Sequence, residues 1–148
     1  MLSEIDKNDL DKLRELVAES VCGSVVRSDE EAAVLIAEIV RSLDSWSESG
    51  SPGFHRKYSV ADEVAGFIVV PDYWKISHLF VLPEFQRCGI GRSLVDAAVE
   101  ACRDRSPHRK IELNSSSAAA GFYEAMGFRQ TGPGIDRPGG CIPYEHGF

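Results

Sequence analysis

At 148 residues, 43% hydrophobic and 26% charged, the chain has the size and balance of one soluble domain, 1–148, and no stretch reaches the ~18 apolar residues of a membrane span. A domain this long buries roughly 68–70% of the surface its unfolded chain exposes, so it needs no disulfide or structural metal, and Cys22, Cys88, Cys102 and Cys141 form neither a CxxC pair nor a Cys/His cluster at zinc spacing. The net charge of −7 comes entirely from the first 63 residues, which hold 14 acidic and 7 basic side chains against 9 of each in the remainder; this argues against a nucleic-acid partner and fits either a cationic one or plain solvated acidic helix faces.

The opening MLSEIDKNDLDK has neither the basic start nor the apolar core of a secretory signal, and with reduced thiols a cytoplasmic location is expected. Leu2 to Ile5 read as a short strand. Leu10, Leu13, Leu16, Val17 and Val21 recur at helical spacing, with Asn8 or Asp9 as cap and Gly23 just past the end. Ser28 and Glu31 make a capping box for a second helix striped by Ala32, Leu35, Ile36, Ile39, Val40 and Leu43, which fades before Gly50-Ser51-Pro52-Gly53. The period then changes to two. Phe54 to Val60 and Val64 to Val70 form a hairpin around Ala61-Asp62-Glu63, and Lys75 to Leu82 is a further strand. Gly91 to Arg105 is helical, Arg109 to Asn114 a strand, Ser117 to Met126 a helix capped by Gly127, and Phe128 to Thr131 a strand. Gly132-Pro133-Gly134 and Pro138-Gly139-Gly140 lead to a last strand, Cys141 to His146. The expected fold class is α/β: a mixed sheet of six to seven strands with helices on both faces.

Chemistry concentrates between the strand ending near Leu82 and the helix beginning at Gly91. A helix start presents unpaired N–H groups and positive dipole, so the turn Gln86-Arg87-Cys88-Gly89-Ile90-Gly91 suits an anion. Gly89 and Gly91 can take positive φ and leave room for a phosphate, and Arg87 and Arg92 flank the turn with charge. A Walker loop is excluded, because Gly91 is followed by Arg92-Ser93 and no earlier glycine stands at the required distance. A dinucleotide fingerprint is a poor match, since Leu94 occupies the place of its third glycine, although Glu112 lies near the expected ribose-binding spacing.

The run Leu79-Phe80-Val81-Leu82-Pro83-Glu84-Phe85-Gln86-Arg87-Cys88-Gly89-Ile90-Gly91 resembles the central motif of the GNAT superfamily of acyl-CoA-dependent N-acyltransferases, Gln/Arg-x-x-Gly-x-Gly/Ala. A second run, from Asn114 through Ser115, Ser116 and Ser117 to Phe122-Tyr123 and Gly127-Phe128, resembles that family's Asn, Phe-Tyr and Gly-Phe segment. The resemblance implies a GNAT-like fold and acetyl-CoA as co-substrate. Its diphosphate would lie on Gln86, Arg87, Cys88, Gly89, Ile90, Gly91 and Arg92, and its pantetheine arm along Leu79, Phe80 and Val81, which in the family belong to a strand splayed from its neighbour. Asn114, Ser116 and Tyr123 complete the cofactor set, and an N–H near Val81 would face the thioester oxygen.

The resemblance also implies direct attack by an amine through a tetrahedral intermediate. Tyr123 is then the expected proton donor to the departing thiolate, whose reference pKa is about 8.5 against about 10 for a phenol. The base is open. His78 titrates in the useful range, and Glu112, Glu63, Tyr144 and His146 are further candidates. Strict alternation would place Lys75, Ser77, Leu79 and Val81 on one strand face and Ile76, His78 and Phe80 on the other. His55 and His108 read as surface residues and Cys88 as filler in a variable motif position. The expected partners are acetyl-CoA and an amine acceptor, either a small molecule or a protein amine, with no nucleic acid, membrane or metal and with homodimer formation open. The alternative is a non-catalytic acyl-CoA-binding or regulatory module of the same fold.

Overall fold

The structure is a computed structural model and describes residues 1–24, 28–137 and 139–148. In chain order the elements are β1 (Leu2–Glu4), α1 (Leu10–Ser24), α2 (Asp29–Ser49), β2 (Gly53–Val60), β3 (Glu63–Pro71), β4 (Lys75–Ile76), β5 (His78–Val81), α3 (Ile90–Cys102), β6 (Lys110–Ser115), α4 (Ala120–Ala125), β7 (Arg129–Gln130) and β8 (Ile142–Gly147). The mixed α/β class holds, with eight strands among the described residues. They form not one ladder but two four-stranded sheets, ordered β1-β2-β3-β5 and β4-β6-β8-β7.

Several ends differ from the sequence reading for local reasons. The cap before α1 is Asp6, which accepts from Asn8 N–H while the Asp9 carboxylate takes the Asp6 N–H in return, and a short 3₁₀ turn over Lys7–Asp9 leads into the helix. α1 runs through Gly23 to Ser24 rather than stopping before it. Ser28 caps α2 as expected, accepting from Glu31 N–H over 3.2 Å. The β2–β3 hairpin turns on Ala61 and Asp62, both with positive φ (49° and 69°), while Glu63 is already in the ladder opposite Val60. α4 is only six residues, because Ser117 to Ala119 are spent in the turn before it. Gly127 takes the expected left-handed conformation (φ 92°), and Pro138 lies outside the described residues.

Alternation along β3 creates two cores. Ala65, Ile68 and Val70 face α3 together with Ile90, Leu94, Val95, Ala98 and Cys102, while Phe67 and Val69 face Leu13, Leu16, Val17 and Val21 of α1 and Leu43 of α2. Helices therefore cover both faces, α1 and α2 on one side and α3 and α4 on the other. The Arg14 guanidinium links the first pair by bonding Asp44 at 2.8 Å.

What divides the sheets is Ser77. Its N–H and the pairing partner His78 both fall opposite Val69, so two residues face one and the strand carries a bulge. Before the bulge, Lys75 and Ile76 pair in parallel with Glu112 and Leu113; after it, His78 to Val81 pair antiparallel with Val69 to Gly66. The bulge also overturns the alternation expected across this segment. Ile76 packs in the α3-side core, whereas Phe80 and His78 face α1 and α2, with Phe80 and His78 rings 5.8 Å and 6.5 Å from Phe67.

Candidate active site

Past Ser77 the central strand has left β6, so one edge of β5 opens on a wedge. The Leu82 N–H donates to Ala65 C=O over 2.8 Å, which fixes the phase of the antiparallel ladder. Alternation then turns the peptide groups of Phe80 and His78 towards β3 and those of Leu79 and Val81 away from it, into the wedge. The Leu79 and Val81 side chains pack on the α3-side core. Main-chain donors and acceptors on an unpaired edge are what an extended amide-bearing chain can pair with.

The wedge leads to the turn before α3. Residues 86–89 are exposed, while Ile90 is buried and anchors the helix start. The first intrahelical bond runs from Ser93 N–H to Gly89 C=O at 3.0 Å, so the N–H groups of Ile90, Gly91 and Arg92 have no helical acceptor. No acidic residue stands in this first turn to compete with an anion. Two left-handed residues shape the approach, Arg87 (φ 62°) and Gly89 (φ 84°), and a Cβ on Gly89 would meet nothing within 4 Å. Gly91, expected to share this conformation, instead lies within α3, where a Cβ would come 3.5 Å from Phe122 Cζ. Open space, free donors and the absence of a carboxylate fit a diphosphate. Cys88 is exposed here, its thiol 3.6 Å from Gln86 C=O.

Tyr123 is 6% exposed, its ring enclosed by Phe122, Phe128 and Tyr144 with centroids 5.1, 5.7 and 6.4 Å away. Among the described residues its hydroxyl has no bonding partner, yet the fully buried unpaired side-chain atoms are His55 Nδ1 and His146 Nδ1, so the hydroxyl tip reaches the surface. Burial holds its pKa above the ordinary phenol value. The Tyr144 hydroxyl is also pushed up, by burial first and by the Glu124 carboxylate second. Ser116 Oγ accepts the Ala119 N–H over 3.2 Å at the turn into α4, and Asn114 is exposed on the opposite side of β6 from the buried Leu113.

His78 is 3% exposed, its Nδ1 lies 2.8 Å from Ser77 Oγ, and its ring stacks 6.5 Å from Phe67. Burial lowers its pKa to about 4, so it is neutral at neutral pH and a weak proton acceptor. Glu112 lies two rows before the bulge, opposite Lys75, its carboxylate 4.0 Å from Lys75 and 3.4 Å from Lys110. Glu63 sits at the hairpin tip, beyond the Gly66–Val81 pair and so towards the α3 turn rather than Ser77. His146 is wedged between Phe128 and Phe148, with centroids 5.4 and 5.8 Å away. His108 is exposed as expected, but His55 is not a free surface group: it packs on Trp46 at 4.8 Å and burial lowers its pKa.

Sequence reading missed three features. Ser77 gave no signal, since a bulge leaves no composition mark. Ser20 did: it interrupts the buried stripe of α1 three residues after Val17, and its hydroxyl reaches Val81 C=O over 3.2 Å. The third is a cavity of about 330 Å³ between α2 and the loop before β8, lined by Val34, Leu35, Glu38 and Arg137 and spanned by a 3.1 Å Arg137–Glu38 ion pair.

A strand that parts from its parallel neighbour and runs into an anion-suited helix start is the arrangement of an acyltransferase fold of the GNAT type, and comparison with known proteins agrees. The acetyltransferase (GNAT) domain family matches residues 26–142, and the chain belongs to that family. A GCN5-related N-acetyltransferase from Rhodopseudomonas palustris superposes with a TM-score of 0.85 at 15% identity, over 100% of this chain and 95% of that one. PaiA N-acetyltransferase from Thermoplasma acidophilum, solved with coenzyme A, gives 0.74 at 20% identity over 100% and 98%. Naa50 of Arabidopsis thaliana, in complex with the bisubstrate analogue CoA-Ac-MVNAL, gives 0.67 at 20% over 100% and 98%.

Proposed function

We propose that this protein is an N-acetyltransferase that moves an acetyl group from acetyl-CoA to a primary amine. The observation that carries the reading is the parting of the strands at Ser77, which exposes the peptide groups of Leu79 and Val81 in line with the free N–H groups at the start of α3. Complexes of PaiA with coenzyme A and of Naa50 with a CoA–peptide conjugate support the same use of this fold.

Each residue then has a physical task. The turn from Gln86 to Arg92 binds the diphosphate through backbone donors, with Arg87 and Arg92 adding charge. Leu79 and Val81 pair with the pantetheine amides and hold the thioester in the wedge, where one of their N–H groups stabilises the oxygen that gains charge as the amine attacks. Tyr123, kept protonated by its enclosure, gives its proton to the departing thiolate. Glu112, on the β6 face turned away from the α3-side core, takes the proton of the acceptor ammonium by way of water. His78, neutral, buried and bonded to Ser77, packs beside Phe67 at the bulge instead of moving protons. Naa50, of the same fold, is in complex with the bisubstrate analogue CoA-Ac-MVNAL, so a peptide amine stands beside small amines among the acceptors proposed for this chain.

The test is incubation with acetyl-CoA and a panel of amines and peptides, reading free thiol and product mass. Acceptor-dependent thiol release with a gain of about 42 Da, the mass of an acetyl replacing a hydrogen, is expected. Saturable CoA binding without turnover on any acceptor would instead mark a non-catalytic binding module.

A further inference from the structure

Of the main-chain groups that face the wedge, the Val81 carbonyl is already engaged. Ser20 Oγ donates to it from α1 over 3.2 Å, and Gln86 Nε2 donates from the α3 turn over 3.1 Å. The other end of the same peptide unit, the Leu82 N–H, is bonded to Ala65 C=O on β3 at 2.8 Å. That peptide plane is therefore held from both sides of the strand. The two donors are not equivalent: Ser20 is 4% exposed, on the buried face of α1, whereas Gln86 is exposed. A buried hydroxyl bonded to a main-chain acceptor stays in place, while a solvated amide side chain can exchange its partner for water at little cost.

We propose that Ser20 is a positioning residue for the acyl-CoA arm. By fixing the Val81–Leu82 peptide it keeps the neighbouring Val81 N–H turned into the wedge, ready for a pantetheine carbonyl. Gln86 is the donor that leaves when a pantetheine amide N–H reaches the Val81 carbonyl. Ser20 thereby ties α1 to the cofactor edge without touching the cofactor. The proposal rests on the reading of Leu79–Val81 as that edge.

The experiment is calorimetric titration with CoA and steady-state kinetics on the wild-type chain and on Ser20→Ala, Ser20→Thr and Gln86→Ala. Ser20→Ala is expected to raise the CoA Kd and the acetyl-CoA KM about fivefold with kcat within about twofold, the scale of one lost hydrogen bond. Ser20→Thr, which keeps the hydroxyl, restores both to within about twofold, and Gln86→Ala changes them less than Ser20→Ala does. Should Ser20→Ala fold poorly, Ser20→Cys keeps the volume, weakens the donor and reads the same shift. A Ser20 variant that melts earlier but binds CoA like the wild type overturns the positioning role and makes Ser20 a packing residue. A wild-type chain that binds no CoA overturns the cofactor-edge reading itself, which separates the two failures.

Discussion

The two halves of the central strand lie one residue apart in sequence and differ in everything around them. Lys75 and Ile76 sit in parallel register with β6, their peptide groups spent on a neighbour, and Ile76 is sealed in the α3-side core. His78 to Val81 have no such neighbour and pair in the sheet only with β3, so the peptide groups of Leu79 and the Val81 N–H turn into the wedge, where the Val81 carbonyl is met by Ser20 and Gln86. Unpaired edge groups buried without partners cost stability, and a fold keeps them where a ligand or water meets them. The first half therefore builds the sheet and the second carries the edge to which the proposed function assigns the cofactor; Ser77 is the boundary, and its hydroxyl lies 2.8 Å from the His78 ring and 3.2 Å from Val69 C=O.

The largest effects should appear where the open half meets chemistry. Tyr123→Phe removes the hydroxyl and leaves the aromatic packing in place. Its kcat is expected to fall by about two to three orders of magnitude with the acetyl-CoA KM changed by less than about threefold. An unchanged kcat would assign the phenol to the core alone. Glu112→Gln, measured in the same assay, should lower kcat about a hundredfold at neutral pH, and a base role further requires that part of the loss be recovered as pH rises and more acceptor amine is free. A loss equal at every pH would point to the Lys75 and Lys110 contacts instead.

The cofactor turn gives a sharper contrast within two residues. Gly89→Val forces a β-branched side chain into φ 84°, at a cost of about 1–2 kcal/mol, and crowds the free donors of α3, so CoA affinity should drop at least about tenfold. Gly91→Ala adds a methyl in ordinary contact with Phe122 inside a helix, and its CoA affinity should stay within about twofold. Equal losses from the two variants would mean that space along α3, and not the left-handed turn, limits binding.

How much of this was legible in the chain follows the same boundary. The amphipathic stripes of α1, α2 and α3 located the helices, and the Gly89-Ile90-Gly91 run located the left-handed turn that starts α3, because periodicity and glycine placement are local properties. The division into two sheets was not legible: it depends on a bulge at an ordinary serine, selected by the different directions in which β3 and β6 pull the strand. That one event moved Ile76 and His78 to opposite faces and changed the meaning of the histidine. Tyr123 could be placed on a helix by pattern, but its sealed ring and emergent hydroxyl come from Phe128 and Tyr144, which meet it through tertiary contacts. The Arg137–Glu38 pair joins residues 99 positions apart and left no sequence signal at all.

His78 supplies the smallest and most specific contrast, since it reports on the boundary through stability alone. Its imidazole is neutral in the folded protein, with a pKa lowered from 6.5 to about 4 by burial. Between those values the unfolded chain binds a proton that the folded chain refuses, so stability rises with pH across this window and is complete above 6.5. On acidification the loss amounts to on the order of 3 kcal/mol, spread over the window at no more than about 1.4 kcal/mol per pH unit. Carboxylates titrate in the same range and His55 is lowered in the same direction, so the informative quantity is the difference between wild type and His78→Asn in denaturant titrations from pH 7 to pH 4. The variant should start less stable at pH 7, having lost the buried ring that bonds Ser77 and stacks on Phe67, and the gap should close as the wild type acidifies. Parallel curves would show that His78 takes up its proton in the folded state as readily as in the unfolded one, and the histidine would return to the list of groups able to accept a proton from the acceptor amine.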